Sequence, residues 1–494
     1  MQLADIIHHQ ITIQLDTLKT DEELVTAIQT QLGKLGLYPK NAVDGDYGPM
    51  TEQGIGEFCQ RFSLLSQQHH QYNRAFAEKL LTPPAVPSPN LSVKREQLYT
   101  EYLNAASGGT ADTPKLFYQG VQTSPRKREI ENYPSYLMRK PDGKKLVAFP
   151  AVTTGFQPYP RVGEVPAIDE QGLDFLHPDI QEACLCVGSF TEGTFYGKWL
   201  GRNALQNDEF WSATKIIPLL YLITQGNSAA YHLDLDRCNI RGWDGFGDYR
   251  NLAVHDLARD LISYKGNIAT SNSLGAMFKR FAPQTTLERW LQSLTGNDQS
   301  IFRGRYGEPP FIESPELFDR TTGQVLLYPD AQPPQWESNT LSAYDLTRMI
   351  SLLGWHYYLS PSARIPGAQW HSLESAVRAL GHDPARLTDL ALAKLNLEEH
   401  LDPIVVLSKL GNGVTGIRHR TEAVYVALVH LLDCRPQQSY QPPRLITFAL
   451  ALRGARKLSP RNVNQEAVEL DARMATEVTE VVRRAVQGEL IVGS

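Results

Sequence analysis

The chain has 494 residues, of which 42% are hydrophobic and 21% are charged, and its formal net charge is −6. This balance is typical of a soluble globular protein with two or three domains, and it excludes the strongly basic surface of a nucleic-acid-binding protein. No apolar stretch reaches the length that spans a membrane, and the first nine residues lack the basic start and apolar core of a secretory signal.

The cysteines do not form the pattern of a disulfide framework or a zinc site. They are odd in number and include no C-x-x-C pair: Cys59, Cys184, Cys186, Cys238 and Cys434. Cys184 and Cys186 would point the same way on one strand. We therefore expect reduced, buried thiols.

Two helices are predicted near the amino terminus. Residues 20–23 read as a capping box in which Thr20 and Glu23 serve each other's backbone amides. Apolar residues follow at helical spacing: Leu24, Ile28, Leu32 and Leu35. After a turn-rich stretch, Pro49 is well placed in the first turn of a second helix. The apolar face of that helix would be Ile55, Phe58, Cys59 and Phe62.

Residues 20–63 resemble the small three-helix peptidoglycan-binding domain that is often appended to cell-wall hydrolases. The resemblance is carried by residues 32–37, by the D-G-x-x-G-x-x-T core within residues 43–52, and by Phe58. It implies an all-α domain over residues 1–81 that binds the cell wall. The alternative is a helical dimerisation or docking unit that keeps this fold without the wall ligand.

A proline-rich stretch at residues 82–93 predicts a stiff linker. Residues 94–164 form a connecting segment to which the sequence assigns no role. They contain one predicted helix at residues 95–106 and several short strands punctuated by glycine and proline.

The pattern of residues 165–494 predicts a second, α+β domain. A strand at 183–190 and an alternating strand at 193–200 read as a hairpin with its turn at Thr191 and Glu192. A largely helical stretch follows to about residue 400. Three more strands are predicted at 403–409, 423–429 and 444–452, and a final helix at 466–487. We expect one antiparallel sheet assembled from both ends of this domain, with a helical subdomain between them.

Ser212 and Lys215 are the first candidates for chemistry. They stand one helical turn apart at the start of an apolar helix. A serine is a weak nucleophile at neutral pH and needs a nearby base. A lysine at i+3 lies on the same helix face, and burial would lower its pKa toward that task.

Two later segments complete a pattern. Ser271-Asn272-Ser273 opens another apolar helical stretch, and Lys409-Leu410-Gly411 stands on a late strand. In order and spacing, these three boxes resemble the S-x-x-K, S-D-N and K-T-G boxes of the serine β-lactamases and penicillin-binding proteins, class A β-lactamases in particular.

The resemblance implies a role for each residue. Ser212 would be the acylated nucleophile, Lys215 its base or proton relay, and Ser271 the group that passes the proton to the leaving nitrogen. Lys409 would hold Ser271 and attract a substrate carboxylate. The backbone N–H groups of Ser212 and Asn412 would form the oxyanion hole.

Further positions are expected to bind substrate or to act on the acyl-enzyme. Arg418 would help to bind the carboxylate, with Gly411, Thr415 and Ser273 lining the site. Glu308, in an R-x-G-E-P loop that resembles the family's R-x-E-P loop, is the candidate for the deacylation glutamate. It has one extra residue before it, and no matching asparagine follows.

Two boxes depart from the family pattern. Ser273 stands where the family has an asparagine that contacts substrate, and Leu410 stands where a threonine or serine offers a hydroxyl to the carboxylate. If Glu308 is misplaced, the acyl-enzyme would persist.

Two functions therefore remain open. The first is a serine hydrolase acting through an acyl-serine on β-lactams or D-alanyl peptides or esters, with no metal and no other cofactor. The second is a non-catalytic protein that binds the cell wall or a partner in the same cleft. The family resemblance suggests the cell envelope, whereas the absence of a signal sequence suggests the cytoplasm. Nucleic-acid partners are not expected.

Overall fold

The computed structural model describes residues 1–35, 37–39, 42–61, 64, 71–81, 89–148, 155–331, 337, 339–436 and 441–491. The chain divides into two compact units, Met1–Pro89 with Cys434–Gln441, and Asn90–Asp433 with Pro442–Ser494. Most of the predicted linker (residues 82–88) lies outside the described residues, as do Gly36 and Phe62. Within the described part of the chain, no helix is both long enough and apolar enough to cross a membrane.

The described residues of the N-terminal unit form five helices and a two-stranded antiparallel ribbon, which is more than the three helices expected. The elements are α1 (Leu3–His8), β1 (Ile13–Gln14), α2 (Leu15–Lys19), α3 (Glu22–Lys34), α4 (Pro49–Arg61), β2 (Gln71–Tyr72) and α5 (Arg74–Leu81). The cap of α3 is Asp21, whose carboxylate accepts the N–H of Leu24 at 3.0 Å. The prediction of Thr20 as the cap of α3 was wrong. The Thr20 hydroxyl instead donates to the Thr17 carbonyl in the last turn of α2.

The D-G-x-x-G-x-x-T sequence is held together by one buried amide, that of Gln29 on α3. Its Oε1 accepts the backbone N–H groups of Asp44 and Gly45 at 3.0 and 2.9 Å. Its Nε2 donates to the Asp44 carboxylate at 2.8 Å and to the Thr51 hydroxyl at 3.0 Å. Gly45 has φ +81, and a Cβ there would lie 2.6 Å from a side-chain carbon of α3. The motif is thus explained by the packing of this loop onto α3.

The second unit contains eleven α-helices among the described residues. They are α6 (Arg95–Ala106), α7 (Gly120–Thr123), α8 (Tyr133–Leu137), α9 (Ile216–Ala229), α10 (Val254–Ser263), α11 (Ser271–Phe278), α12 (Gln284–Thr295), α13 (Ala343–Gly354), α14 (Trp370–Gly381), α15 (Leu387–Lys394) and α16 (Val463–Gln487). Short 3-10 turns occur at Lys127–Asn132, Trp211–Lys215, Leu235–Arg237, Lys279–Phe281, Pro361–Ala363 and Glu398–His400.

Its strands are β3 (Val147–Ala148), β4 (Gln157–Pro158), β5 (Ile168–Asp169), β6 (Ile180–Thr191), β7 (Thr194–Arg202), β8 (Cys238–Trp243), β9 (Tyr249–Ala253), β10 (Glu316–Asp319), β11 (Gln324–Leu327), β12 (Leu401–Thr415), β13 (Arg420–Asp433) and β14 (Arg444–Arg456). The main sheet has the order β12-β13-β14-β6-β7-β4, and its five long strands are antiparallel. The prediction of one antiparallel sheet built from both ends is confirmed.

Alternation along the strands divides the core between the two faces of this sheet. Val405 and Leu407 of β12 face the helical block, in one cluster with α9 and α13. Cys184 and Cys186 lie in the same cluster, as their spacing predicts. The intervening Val406 belongs to the opposite cluster, with α6, α15 and α16.

Two features of the second unit differ from the sequence prediction. The helical block contains a four-stranded sheet of order β11-β10-β8-β9, whose strands of four to six residues were too short to identify. The segment at residues 94–164 packs into this unit, with α6 against α16. The buried carboxylate of Asp471 on α16 accepts the N–H groups of Leu116 and Phe117 at 2.7 and 3.1 Å.

The role of Gln29 can be tested by replacing it with alanine in the full chain. Removing the amide leaves two loop N–H groups unpaired, at a cost of about 1–3 kcal/mol for a buried polar group. We expect hydrogen exchange of residues 44–51 to become about tenfold faster or more in Gln29→Ala. Gln53→Ala, which removes an exposed amide bonded to Glu57, is the control and should leave this exchange unchanged. Unchanged protection in Gln29→Ala would contradict the assigned role.

Candidate active site

Ser212 stands on a strained 3-10 turn, Trp211–Lys215, that leads directly into α9. Trp211 has φ +49, an unfavourable conformation for an aromatic residue. Its indole donates to the Glu422 carboxylate at 2.9 Å. It also covers Gly413, where a Cβ would lie 2.4 Å from the ring. Because most of α9 is buried, the turn is fixed at both ends and Ser212 is left half-buried at the surface of the unit.

Gly411 allows β12 to approach this turn closely. A Cβ at Gly411 would lie 2.9 Å from the Phe210 carbonyl oxygen and 3.0 Å from the Ala213 nitrogen. Any larger residue would push the strand away. The backbone of Gly411 and Asn412 therefore passes beside the Ser212 turn, where the sequence predicts the oxyanion hole.

The residues just before Ser212 are anchored by a network of charges that sequence reasoning did not identify. The fully buried Arg453 pairs with Glu182 at 2.5 Å, with Glu422 at 2.9 Å and with Asp208 at 3.0 Å. Its Nε also donates to the Glu209 carbonyl at 3.0 Å. Removing one partner of such a buried network is costly, because it leaves an uncompensated charge. The network thus holds residues 208–211 in place.

Arg418 belongs to the same network. Its guanidinium donates to Glu422 at 2.8 and 2.9 Å and to Glu209 at 2.9 Å, and lies 3.6 Å from Asp208. Its backbone N–H donates to the Thr415 hydroxyl at 2.8 Å. The contact of Arg418 and Thr415 with a substrate carboxylate stays a prediction, and it would require these bonds to be exchanged.

Lys215 is fully buried beside the second box. Its amine donates to the Ser271 hydroxyl at 2.9 Å and to the Asn272 side-chain oxygen at 2.7 Å. Ser271 in turn donates to the Leu261 carbonyl at 2.6 Å. Burial lowers the pKa of Lys215 well below its usual range; the neighbouring Lys409 adds to this shift and Glu308 opposes it. The structure thus brings together two groups that can pass a proton, the Ser271 hydroxyl and the Lys215 amine, and the Asn272 amide oxygen, which accepts a hydrogen bond from the amine.

Lys409 does not hold Ser271 as expected. Its fully buried amine instead donates to the Tyr264 hydroxyl at 2.5 Å and to the Leu410 carbonyl at 3.2 Å, and lies 3.9 Å from Asp383. Burial lowers the pKa of Lys409 and raises that of Asp383, so both shift toward their neutral forms. Lys409 differs from the prediction because the Tyr264 side chain occupies the space next to its amine.

Tyr264 is the residue of this site that the sequence did not reveal. Its ring centroid lies 3.8 Å from the Lys409 amine and 5.3 Å from the Lys215 amine. Its hydroxyl donates to the Leu410 carbonyl at 3.1 Å and shares a hydrogen bond with Ser212, while burial raises its pKa well above the usual value. Tyr264 follows α10 with φ +56, a position that usually takes glycine. The only local sign of this site in the sequence is a tyrosine at the end of a helix, and that sign does not reveal its contacts with Lys409 and Ser212.

Glu308 lies beside the second box. Its carboxylate accepts hydrogen bonds from the Thr270 hydroxyl and, at 3.1 Å, from the Asn272 amide. The Ser273 hydroxyl is turned to the same loop and donates to the Pro309 carbonyl at 2.9 Å. Thr270 caps α11, since its hydroxyl also accepts the N–H of Ser273 at 3.1 Å. Among the described residues, no three His, Cys, Asp or Glu side chains are grouped so as to hold a metal ion.

The side chains of Leu410 and Asn412 point away from Ser212. Leu410 is fully buried in the cluster on the opposite face of the sheet. The Asn412 amide donates to the Ala111 carbonyl at 3.0 Å. Only the backbone of these two residues is therefore available to the site.

A test of the Ser212 turn is to add one methyl group under Trp211. Gly413→Ala would collide with the indole, and such overpacking costs about 1–3 kcal/mol. We expect a lower melting temperature and changed tryptophan fluorescence. The control is Gly416→Ala, where a Cβ meets no atom within 4 Å. Equal behaviour of the two variants would show that Trp211 is not packed as described.

Comparison with known proteins gives one family match and likenesses to solved structures. Residues 21–65 match the family described as "Putative peptidoglycan binding domain". Among solved structures, the chain is similar to a β-lactamase from Desulfarculus baarsii DSM 2075, with 16% identity, a TM-score of 0.35, and coverage of 62% of this chain and 93% of that one. It is also similar to a peptidoglycan synthetase from Bifidobacterium adolescentis ATCC 15703, with 12% identity, a TM-score of 0.27, and coverage of 66% and 59%. No curated protein matches.

Proposed function

We propose that the protein is a serine acyl hydrolase of the β-lactamase and penicillin-binding type, in which Ser212 is acylated. One observation carries the proposal. The Lys215 amine is fully buried and its pKa is strongly lowered. It donates a hydrogen bond to the hydroxyl of Ser271, and Lys215 itself lies one helical turn after the half-buried Ser212. A neutral buried amine beside a serine is the arrangement that a lysine base requires.

In the acylation step, Lys215 accepts the proton of Ser212 as its oxygen bonds to the acyl carbon. The proton then moves from Lys215 to the leaving nitrogen or oxygen through Ser271, which takes one proton and gives another. The 2.9 Å bond between Lys215 and Ser271 supports this path. The Asn272 oxygen, at 2.7 Å, stabilises the amine when it is charged.

The tetrahedral intermediate needs donors for its oxyanion. We assign this role to the backbone N–H groups of Ser212 and Asn412. The close approach of β12 at Gly411 supports the assignment, because it keeps the strand in contact with the turn that carries Ser212.

Deacylation requires a base for water, and Glu308 is the candidate. Its carboxylate is close enough to act on the charge of Lys215 and is fixed by Thr270 and Asn272. The carboxylate is half-buried, so water can reach it. Glu308 is the acid that we expect to set the lifetime of the acyl-enzyme.

The substrates would be acyl compounds of the β-lactam or D-alanyl peptide or ester type. The segment at residues 21–65 is similar to peptidoglycan-binding domains, and it would bring the hydrolase to the cell wall. The cell envelope is therefore the expected place of action.

A second function is favoured by the surroundings of Lys409. Tyr264 bonds this lysine, Leu410 offers no hydroxyl, and Ser273 is turned to the loop. A protein that binds a wall fragment in the cleft without turning it over would tolerate all three features.

Acylation of Ser212 distinguishes the two functions. The protein is incubated with a fluorescent penicillin and with a neutral nitrophenyl ester, and the modified peptide is identified by mass spectrometry. We expect Ser212-linked acylation that falls at least about a hundredfold in Ser212→Ala, because the nucleophile is lost. Ser228→Ala, which removes a hydroxyl bonded to the Thr224 carbonyl in α9, the helix that follows the Ser212 turn, is the control and should react like the wild type.

Two results would contradict the hydrolase proposal. One is equal labelling of Ser212→Ala and wild type. The other is no reaction of the wild type with lactams, acyl peptides or esters. Co-sedimentation with purified peptidoglycan in the absence of Ser212 labelling would support the binding function instead.

A further inference from the structure

We infer that this site selects acyl donors that carry no negative charge next to the bond to be broken, and that Tyr264 enforces this selection. The inference rests on the proposed acylation of Ser212 and names the substrate class of that site. Penicillins and D-alanyl-D-alanine peptides carry a carboxylate at that position, whereas simple esters and amides do not.

Lys409 is closed off from any substrate. Its side chain has 0% exposure, so a carboxylate could reach it only if a neighbouring group moved. That group is Tyr264, whose hydroxyl lies 2.5 Å from the amine and whose ring centroid lies 3.8 Å from it. Asp383, at 3.9 Å, already supplies a carboxylate to the amine. The position expected to attract an anion is therefore occupied by a phenol and paired with an acid.

Arg418 cannot replace Lys409 as an anion site. It shares Glu422, Glu209 and Asp208 with its neighbours. In the same network, Arg420 pairs with Asp208 and Glu422. Arg453 and Glu182 belong to the network as well. The network therefore contains four carboxylates and three guanidinium groups: Asp208, Glu182, Glu209 and Glu422, with Arg418, Arg420 and Arg453. An incoming carboxylate would meet a surplus of negative charge.

Neutral hydrogen-bond donors to a carboxylate are missing from the third box as well. The Leu410 side chain is apolar and lies in the core on the other face of the sheet. Thr415 is only 7% exposed, so its hydroxyl, which accepts the N–H of Arg418, is screened from an incoming substrate by burial. Three independent features therefore agree, and each removes a contact that a charged substrate would need.

Tyr264 is held in its place by the segment of residues 107–120. The ring of Tyr118 packs edge-on against it, with centroids 6.1 Å apart. This segment is fixed by Asp471, which accepts the Leu116 and Phe117 N–H groups, and by the bond from Asn412 to Ala111. The strained backbone at Tyr264 is thus maintained by packing, as such conformations require.

A charged substrate would have to displace the phenol from Lys409 and give up hydration before it could reach a cation. Burying an unpaired carboxylate is strongly unfavourable, whereas a neutral ester has no such cost. Tyr264 still leaves Ser212 half-buried and bonded to its hydroxyl, so a neutral acyl group can approach the nucleophile. Specificity here comes from a group that excludes the wrong substrate.

The matched probes are benzylpenicillin and its methyl ester, which differ in the charge of the carboxyl group and by one methyl group. Acylation rates are measured by intact-protein mass spectrometry for the full chain, with the site of modification mapped. In the wild type we expect the methyl ester to react at least about tenfold faster than the acid, after correction for their intrinsic reactivities with hydroxide. In Tyr264→Ala we expect the acid-to-ester ratio to rise at least about tenfold, because Lys409 becomes accessible.

Two further variants make the test independent of folding. Tyr264→Phe keeps the ring and removes the hydroxyl with its bonds to Lys409, the Leu410 carbonyl and Ser212, so we expect a smaller rise in the ratio than in Tyr264→Ala. Tyr231→Ala removes a tyrosine that is 64% exposed and should leave the ratio unchanged. If neither lactam reacts, the phenyl and 3-carboxyphenyl esters of one acylglycine provide the same comparison.

The possible outcomes are distinct. A wild type that prefers the acid, or a ratio unaffected in both Tyr264 variants, overturns the selection inferred here and leaves the acylation of Ser212 standing. Failure of every lactam and ester to modify Ser212 refutes the proposed function, and the inference fails with it. A preference for the neutral probes that is lost in Tyr264→Ala supports both.

Discussion

The account depends on a lysine amine that is kept out of water and next to hydroxyl and amide groups. Lys215 has no exposed surface, and its amine bonds Ser271 and Asn272. Desolvation disfavours the charged form of an amine, and a second lysine nearby does the same. A base is useful only if it is unprotonated at the working pH, so burial of this amine is the condition for nucleophilic chemistry at Ser212.

Several parts of the fold keep Lys215 buried and fix the turn that carries Ser212. The apolar helix α9 buries Lys215 at its first turn, and glycines at 411 and 413 let β12 and Trp211 pack against that turn. Buried acids and arginines around Arg453 fix the residues before it. The same packing explains why the cations of the site are hidden. Lys409 lies beneath Tyr264, and Arg418 is shared among acids.

The sequence predicted the elements whose signals are local. The strand pair before Ser212, the three late strands, the helix at Arg95–Ala106 and the helix that starts at Pro49 all have strong apolar periodicity or clear end signals. The α+β sheet built from both ends follows from the order of these elements. The four-stranded sheet in the helical block could not be predicted, because its strands are short and depend on contacts between distant segments.

The candidate site shows the same division. The boxes at Ser212, Ser271 and Lys409 could be found because each is a short pattern on one element. Tyr264 could not, because its importance comes from a left-handed backbone and from contacts with Lys409 and Ser212 that no spacing encodes. The partners of Arg418 come from residues about 200 positions earlier in the chain and from the next strand, so its paired state was equally hidden.

The protonation state of Lys215 is the central physical claim, and it can be measured directly. Protein labelled with carbon-13 at the lysine Cε positions is titrated by NMR, and the resonance of Lys215 is assigned by its loss in Lys215→Met. The account predicts that the Lys215 Cε resonance changes between the ammonium and neutral-amine forms well below the pH range in which an ordinary lysine titrates. A Lys215 resonance that remains that of an ammonium until about pH 10, as for an ordinary lysine, would contradict it.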